Sequence, residues 1–233
     1  MGCSSGPLIK AIQNGPQNLV TALDVSNSKC FTGDTATLKN LGNSSLDFTG
    51  GSQVNSDKIE GHFSAYYRTP TTNVLDTDFH SIFFRVRFNS TGTYPNGWSG
   101  GWDQIFEFDG GGDRVPGVWR FPTSRRIHWR YNPSNTGCDF GDNDTFPINT
   151  WHFVGVTKNG SAARMFINGN NVGTATVSNP KTTGSSPIKI FAGYSGQRDD
   201  LASFNNLYIF NKVLPDDEVK DLYETLKGHM GFS

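Results

Sequence analysis

WHFVGVTKNGSAARMFINGNNVG, residues 151–173, decides the fold. Its first seven residues, Trp151 to Thr157, are rich in the aromatic and β-branched types that suit a pleated surface. Lys158-Asn159-Gly160-Ser161 supplies a turn, because Asn and Gly tolerate the positive φ of tight hairpins. Ala163 to Ile167 alternates again, Asn168-Gly169 turns the chain once more, and Asn171 to Val177 follows as a third strand. Short strands joined by Asn-Gly turns make an antiparallel meander, and nothing in the stretch has helical period. The expectation is an all-β protein.

The pattern extends outward. Phe79 to Phe88 reads as a strand with Ile82, Phe84, Val86 and Phe88 on one side and Ser81, Phe83, Arg85 and Arg87 on the other. Gln104 to Asp109 is the next strand, and Val118–Phe121 with Arg126–Tyr131 reads as a hairpin. One helix is predicted over 215–227: Pro215 sets its start, Asp216, Asp217 and Glu218 suit the positive dipole end, and Gly228 stops it. Val219, Leu222, Tyr223 and Leu226 form the stripe that lies on the sheets.

The order Trp-His-x-Val-x-Val-Thr from Trp151, then Arg164-x-Phe-Ile-Asn-Gly169, resembles the laminin-G-like domain of the concanavalin A-type lectin/glucanase superfamily. Pro187–Gly193 and Phe204–Leu214 agree at the far end, while Asn18–Asp24, Leu38–Leu41 and Ser45–Gly50 resemble the opening strands of such domains in tailed-phage structural proteins. The resemblance covers residues 18 to 227 and implies a jelly-roll-like β-sandwich of two antiparallel sheets with a short C-terminal helix. Residues 18–233 then form one domain, preceded by an N-terminal arm, 1–17. Leu8, Ile9 and Ile12 of that arm are too few for a core of their own; the arm is either disordered, as termini usually are, or docks on a neighbouring subunit through these residues, the reading favoured here.

Composition bounds the partners. At 233 residues the chain suits a single sandwich, and 27 Gly with 18 Phe suit many turns around a thick interior. A formal net charge of −1 gives no electrostatic footprint for nucleic acid or an anionic membrane. No apolar run approaches the roughly 18 residues of a membrane helix, and the N-terminus lacks the apolar segment of a signal peptide. Cys3, Cys30 and Cys138 fit no zinc spacing and cannot all pair within one chain, so free thiols made in a reducing cytoplasm are expected.

The candidate sites follow. The loop 90–102 carries Tyr94, Trp98 and Trp102 among glycines; flat rings of this kind either form a platform for the C–H face of a sugar or fold back on the sandwich or a partner. Trp119, Trp129 and Arg130, in the hairpin that interleaves Arg with aromatics, join them as candidate carbohydrate contacts. Arg120, Arg125, Arg126 and Arg130 either form a basic strip or pair across strands. Asp139, Asp142 and Asp144 have oxygen ligands at alternating spacing, the weak outline of a calcium loop without its closing Glu; a solvated loop is the expectation, with no cofactor required. Glycosidases of the superfamily carry Glu-x-Asp-x-x-Glu on one strand; Glu107 and Asp109 match the first two positions, but Gly112 holds the third, leaving one carboxylate of the necessary pair. The lyase branch needs Gln-x-His, and Arg126-Ile127-His128 lacks the Gln. These readings lead to a non-enzymatic virion protein of a phage, a capsid decoration or a tail or fibre component, that assembles with other virion proteins and copies of itself. The alternative is an adhesin for host-surface glycan, and a glycan hydrolase or lyase ranks third.

Overall fold

The computed structural model describes residues 18–44, 46–51, 54–55, 58–61, 66–71, 75, 78–89, 102–109, 114–132, 137–178, 186–191 and 202–230. The arm with Leu8, Ile9 and Ile12, the loop residues Tyr94 and Trp98, and Gly112 lie outside them. The described strands are β1 (Leu19–Asp24), β2 (Thr37–Leu38), β3 (Phe48–Gly50), β4 (Val54–Asn55), β5 (Lys58–Glu60), β6 (Tyr67–Arg68), β7 (Phe79–Phe88), β8 (Asp103–Phe108), β9 (Gly117–Arg120), β10 (Ile127–Arg130), β11 (Gly137–Phe140), β12 (Trp151–Asn159), β13 (Ala162–Ile167), β14 (Asn170–Thr176), β15 (Ile188–Ile190) and β16 (Ala202–Phe210), with helix α1 (Asp216–Met230) after them.

They form two eight-stranded sheets, ordered β14-β13-β12-β7-β16-β5-β4 with β1 also on β16, and β11-β10-β9-β8-β15-β6-β3-β2. The meander read from sequence is β12, β13 and β14, antiparallel and in continuous register over its first hairpin. Its turns are as short as the Asn-Gly pairs demand, with positive φ at Gly160, Asn168 and Gly169.

The core lies between the sheets. Ile82, Phe84, Val86 and Phe88 of β7 face Phe106, Phe108, Val118 and Trp129 of the second sheet, all 0–1 % exposed. Phe84 packs edge-on against Phe106 at 5.4 Å and stacks near-parallel on Phe204 at 5.6 Å. The other side of β7 is covered too. Phe83 stacks on Phe153 at 5.4 Å, and Val219 and Leu226 of α1 join them in a second cluster outside the first sheet. Gly155 stands opposite Phe83 on β12, and a Cβ there would lie 2.1 Å from the Phe83 ring; the missing side chain is what lets that ring lie flat. Ser81 Oγ donates to the Lys212 carbonyl (2.7 Å) and accepts from the Leu214 amide (2.8 Å), which fixes the entry of α1 over this cluster.

α1 begins where the acidic first turn predicts, but it runs through Gly228 to Met230 instead of stopping there. Gly228 meets nothing within 4 Å of its Cβ position and lacks the positive φ of a C-terminal cap, so it acts as an ordinary weak helix former, costing about 1 kcal/mol relative to Ala. Among the described residues no helix is long and apolar enough to cross a membrane. Cys30 and Cys138 are free and buried, and burial pushes both thiols up to about 12.

Arg120 and Asp103 are cross-strand partners at 0 % and 1 % side-chain exposure, joined through the guanidinium Nε and Nη2. Removing one member of such a pair strands the other charge in low dielectric. Asp103→Ala should therefore cost about 3–5 kcal/mol in urea unfolding. Lys39→Ala, which breaks the largely exposed Lys39–Asp47 pair, should cost less than about 1 kcal/mol.

His152 gives the fold a pH dependence. Its ring is 6 % exposed, sits edge-on to Phe146 at 5.1 Å, and neither nitrogen has a hydrogen-bond partner. Burial holds its pKa below the ordinary 6.5. Below that value the unfolded chain takes up a proton that the folded chain resists, so stability falls as pH drops through and below about 6.5. Equilibrium unfolding against pH should show a shallower acid loss for His152→Leu than for the wild type.

Candidate functional site

The second sheet turns one face toward the core and the other away from it, and the strand register sorts the candidate residues between them. Trp129 alternates inward. It is 0 % exposed and packs on Phe84 and Phe106, each at 5.8 Å, so its expected role as a carbohydrate contact is corrected: no face of the indole is open. Trp119 and Arg130 fall on the outer face, together with His128.

Successive rows cross that face. In the first, Trp102 packs on Phe121 at 4.6 Å, and the Arg126 guanidinium lies 5.1 Å from the Phe121 ring. In the second, Gln104 is opposite Trp119, Trp119 opposite His128 and His128 opposite Asp139. Trp102 reaches across to the His128 ring at 5.1 Å, and His128 Nδ1 is 2.6 Å from Asp139 Oδ1. In the third, Arg130, Gly117, Glu107, Lys189 and Arg68 follow one another across β10, β9, β8, β15 and β6. A Cβ on Gly117 would lie 2.3 Å from the Trp119 ring, so this glycine lets the indole recline across the sheet. Arg114 at 5.5 Å and Arg130 at 5.9 Å both make cation–π contacts with this ring.

Gln104 and Glu107 are three apart, which on a regular strand would put them on opposite faces. A register shift between Gln104 and Phe106 accommodates one extra residue, so both point outward while Ile105, Phe106 and Phe108 all reach the core. Both Gln104 side-chain polar atoms, Glu107 Oε2 and Trp119 Nε1 are buried without a hydrogen-bond partner. Gln104, Trp119 and Glu107 are 1 %, 3 % and 4 % exposed, whereas Asp109, Lys189 and Asp139 at the rim are partly open. Burial, opposed mainly by Arg114, pushes the Glu107 carboxyl up to about 7. Burial lowers the pKa of Arg130, with repulsion from Arg114 adding to it.

The remaining candidates separate. The arginines form no strip: Arg120 holds Asp103, Arg125 donates to the carbonyls of Phe146 and Asn143, and Arg126 pairs with Asp139 at 3.6 Å. Asp139, Asp142 and Asp144 do not converge on an ion. Asp139 serves His128 and Arg126, and Asp142 accepts from the amides of Asp144 and Thr145, contacts that hold its carboxyl below the ordinary range. A groove of about 510 Å³ opens beside β11, over Phe140, Met165 and Ile167, but no atom lining it is a buried polar group lacking a partner.

A family model described as the concanavalin A-like lectin/glucanases superfamily matches residues 32–220, and the chain belongs to that family. No curated protein matches it in sequence. In structure it is similar to the binding domain of botulinum neurotoxin serotype D (12 % identity, TM-score 0.68, covering 90 % of this chain and 52 % of that one). It is also similar to Trypanosoma rangeli sialidase (16 %, TM-score 0.66, 93 % and 34 %) and to the binding domain of botulinum neurotoxin DC, solved with rat synaptotagmin II (17 %, TM-score 0.64, 90 % and 52 %). The chain thus spans about a third to a half of these longer proteins, and the likeness is one of fold.

Unpartnered buried polar groups lower stability, so replacing them with apolar groups of the same shape is close to neutral or favourable. Gln104→Met is expected to leave the free energy of urea unfolding unchanged or raise it, by up to about 1–2 kcal/mol. A loss of stability comparable to that of Asp103→Ala would show that the Gln104 amide is a structural group.

Proposed function

We propose that the chain is a non-enzymatic recognition module that binds glycan on the outer face of the second sheet, carried as a surface component of a virion. The observation that bears most weight is the stack of Trp102 on Phe121, two partly open rings at the end of the buried row Gln104–Trp119–His128. A sugar ring matches such a stack because its C–H face packs on an aromatic ring. The botulinum relatives are binding domains by description, which fits recognition as the use of the sandwich. Chemistry is disfavoured because glycoside hydrolysis by the retaining route needs a second carboxylate about 5–5.5 Å from the first. Asp109, next along the strand from Glu107, is bound to Lys189. The virion context rests on the resemblance of the opening strands, 18–50, to those of tailed-phage structural proteins.

A glycan array probed with the whole protein tests the first half of this reading. Wild type is expected to bind a defined glycan set that Trp102→Ala loses while still folded. Equal binding by both would remove this face from consideration. Co-purification of the protein with virions tests the second half independently.

A further inference from the structure

Resting on that reading, we infer that the ligand is a neutral oligosaccharide of several units, which starts on the Trp102–Phe121 stack and runs across Arg126 into the groove beside β11. Continuity is the first observation. The Phe121 amide donates to the Arg126 carbonyl (3.0 Å), and the Arg126 guanidinium lies 5.1 Å from the Phe121 ring. The same side chain walls the groove, where its Nη2 is 3.6 Å from Asp139 Oδ2 of β11. Arg126 is half exposed, and Trp102, Phe121 and Asp139 are each partly open, so stack and groove belong to one accessible path. From β8 through β9 and β10 to β11 that path crosses three strand steps. At the usual strand spacing this is roughly 14 Å, more than one sugar ring covers.

Shape and lining point the same way. The groove lies where β11, the edge of the second sheet, comes beside β13 and β14 at the edge of the first. Its volume of about 510 Å³ falls within the usual range of small-molecule sites, roughly 300–1,000 Å³. Phe140, Met165 and Ile167 close its floor, and Val172, 47 % exposed on β14, gives it an apolar wall. The polar groups stand at the rim, where Arg126 donates and the carboxylates of Asp139 and Asp142 accept. Asp142 Oδ1 takes the amides of Asp144 (3.1 Å) and Thr145 (2.7 Å) and the Thr145 hydroxyl (2.7 Å). That anchor fixes the carboxylate in orientation and leaves its second oxygen outside the set. An apolar wall with donors and acceptors at its edge matches rings whose C–H faces are bordered by hydroxyls.

Charge selects the neutral member of that class. The groove sets one guanidinium, Arg126, against two carboxylates, Asp139 and Asp142, and Arg126 is already paired with Asp139. A carboxylated or sulfated glycan would bring a further negative charge beside Asp142 and be repelled. Hydroxyls, which donate as well as accept, suit both signs of the rim.

Isothermal titration of the whole protein with neutral gluco-, manno- and galacto-oligosaccharides, each series running from one unit to six, tests the inference. In a series that binds, affinity should rise at least about tenfold from the disaccharide to the pentasaccharide and then level off. Val172→Arg sends a long side chain over the groove from an exposed position; it should abolish that rise and leave the shortest members binding as before. Asp142→Asn keeps an oxygen for the Asp144 and Thr145 bonds, and should reduce the rise several-fold. Trp102→Ala should weaken binding at every length. A wild-type affinity that does not change with length, a rise that both groove variants keep, or array hits confined to other glycans would overturn this inference and leave the glycan reading standing. A folded wild type that binds nothing on the array or in the titrations would remove the glycan reading and the inference with it.

Discussion

From His80 to Val86 strand β7 is buried on both sides, and the rest of the fold follows from that constraint. Its inward residues belong to the core between the sheets, and Phe83, on the opposite side, belongs to a second core beneath the helix. An antiparallel sheet can leave one face wet, but a Phe at 0 % exposure on that face obliges something apolar to cover it. The helix does so with Val219 and Leu226, and Gly155 leaves room for Phe83 to stack on Phe153. The first sheet is thereby committed to packing on both sides. The second sheet has no helix over it among the described residues, yet Gln104, Trp119, Glu107 and His128 on its outer face are buried as well.

Much of the fold was legible because it depends on local rules. Asn-Gly pairs allow few geometries between alternating strands, and the meander came out as read. The acidic first turn located the start of α1, although Gly228, which marked the end on propensity alone, was carried through. Rules of period also misled. Trp129 and Trp119 are both aromatic and lie in neighbouring strands, but one alternates into the core and the other out of it. Deciding between them takes the register, which no window of sequence contains.

The site was legible only in part, for a reason that can be located in one strand. Glu107 attracted attention as a carboxylate and Trp119 as a ring, whereas Gln104 looked like an ordinary polar residue in DQIFEF. The bulge that brings Gln104 and Glu107 to the same face is invisible to a period-two reading, which sets them on opposite sides. Arg114 and Lys189 are distant in sequence and meet the others only because β15 pairs with β8 and the segment before β9 folds back. What sequence could not show is cross-strand adjacency, the property that brings these residues together.

Gly117 has a consequence for how such a surface diversifies. The indole of Trp119 lies down because the neighbouring position carries no side chain. Any residue with a Cβ there would meet both that ring and, at 2.5 Å, the carbonyl of Arg114, so the indole and the chain leading into β9 would have to move together. One codon in a short strand thus ties the relief of this face to the path of the backbone beside it.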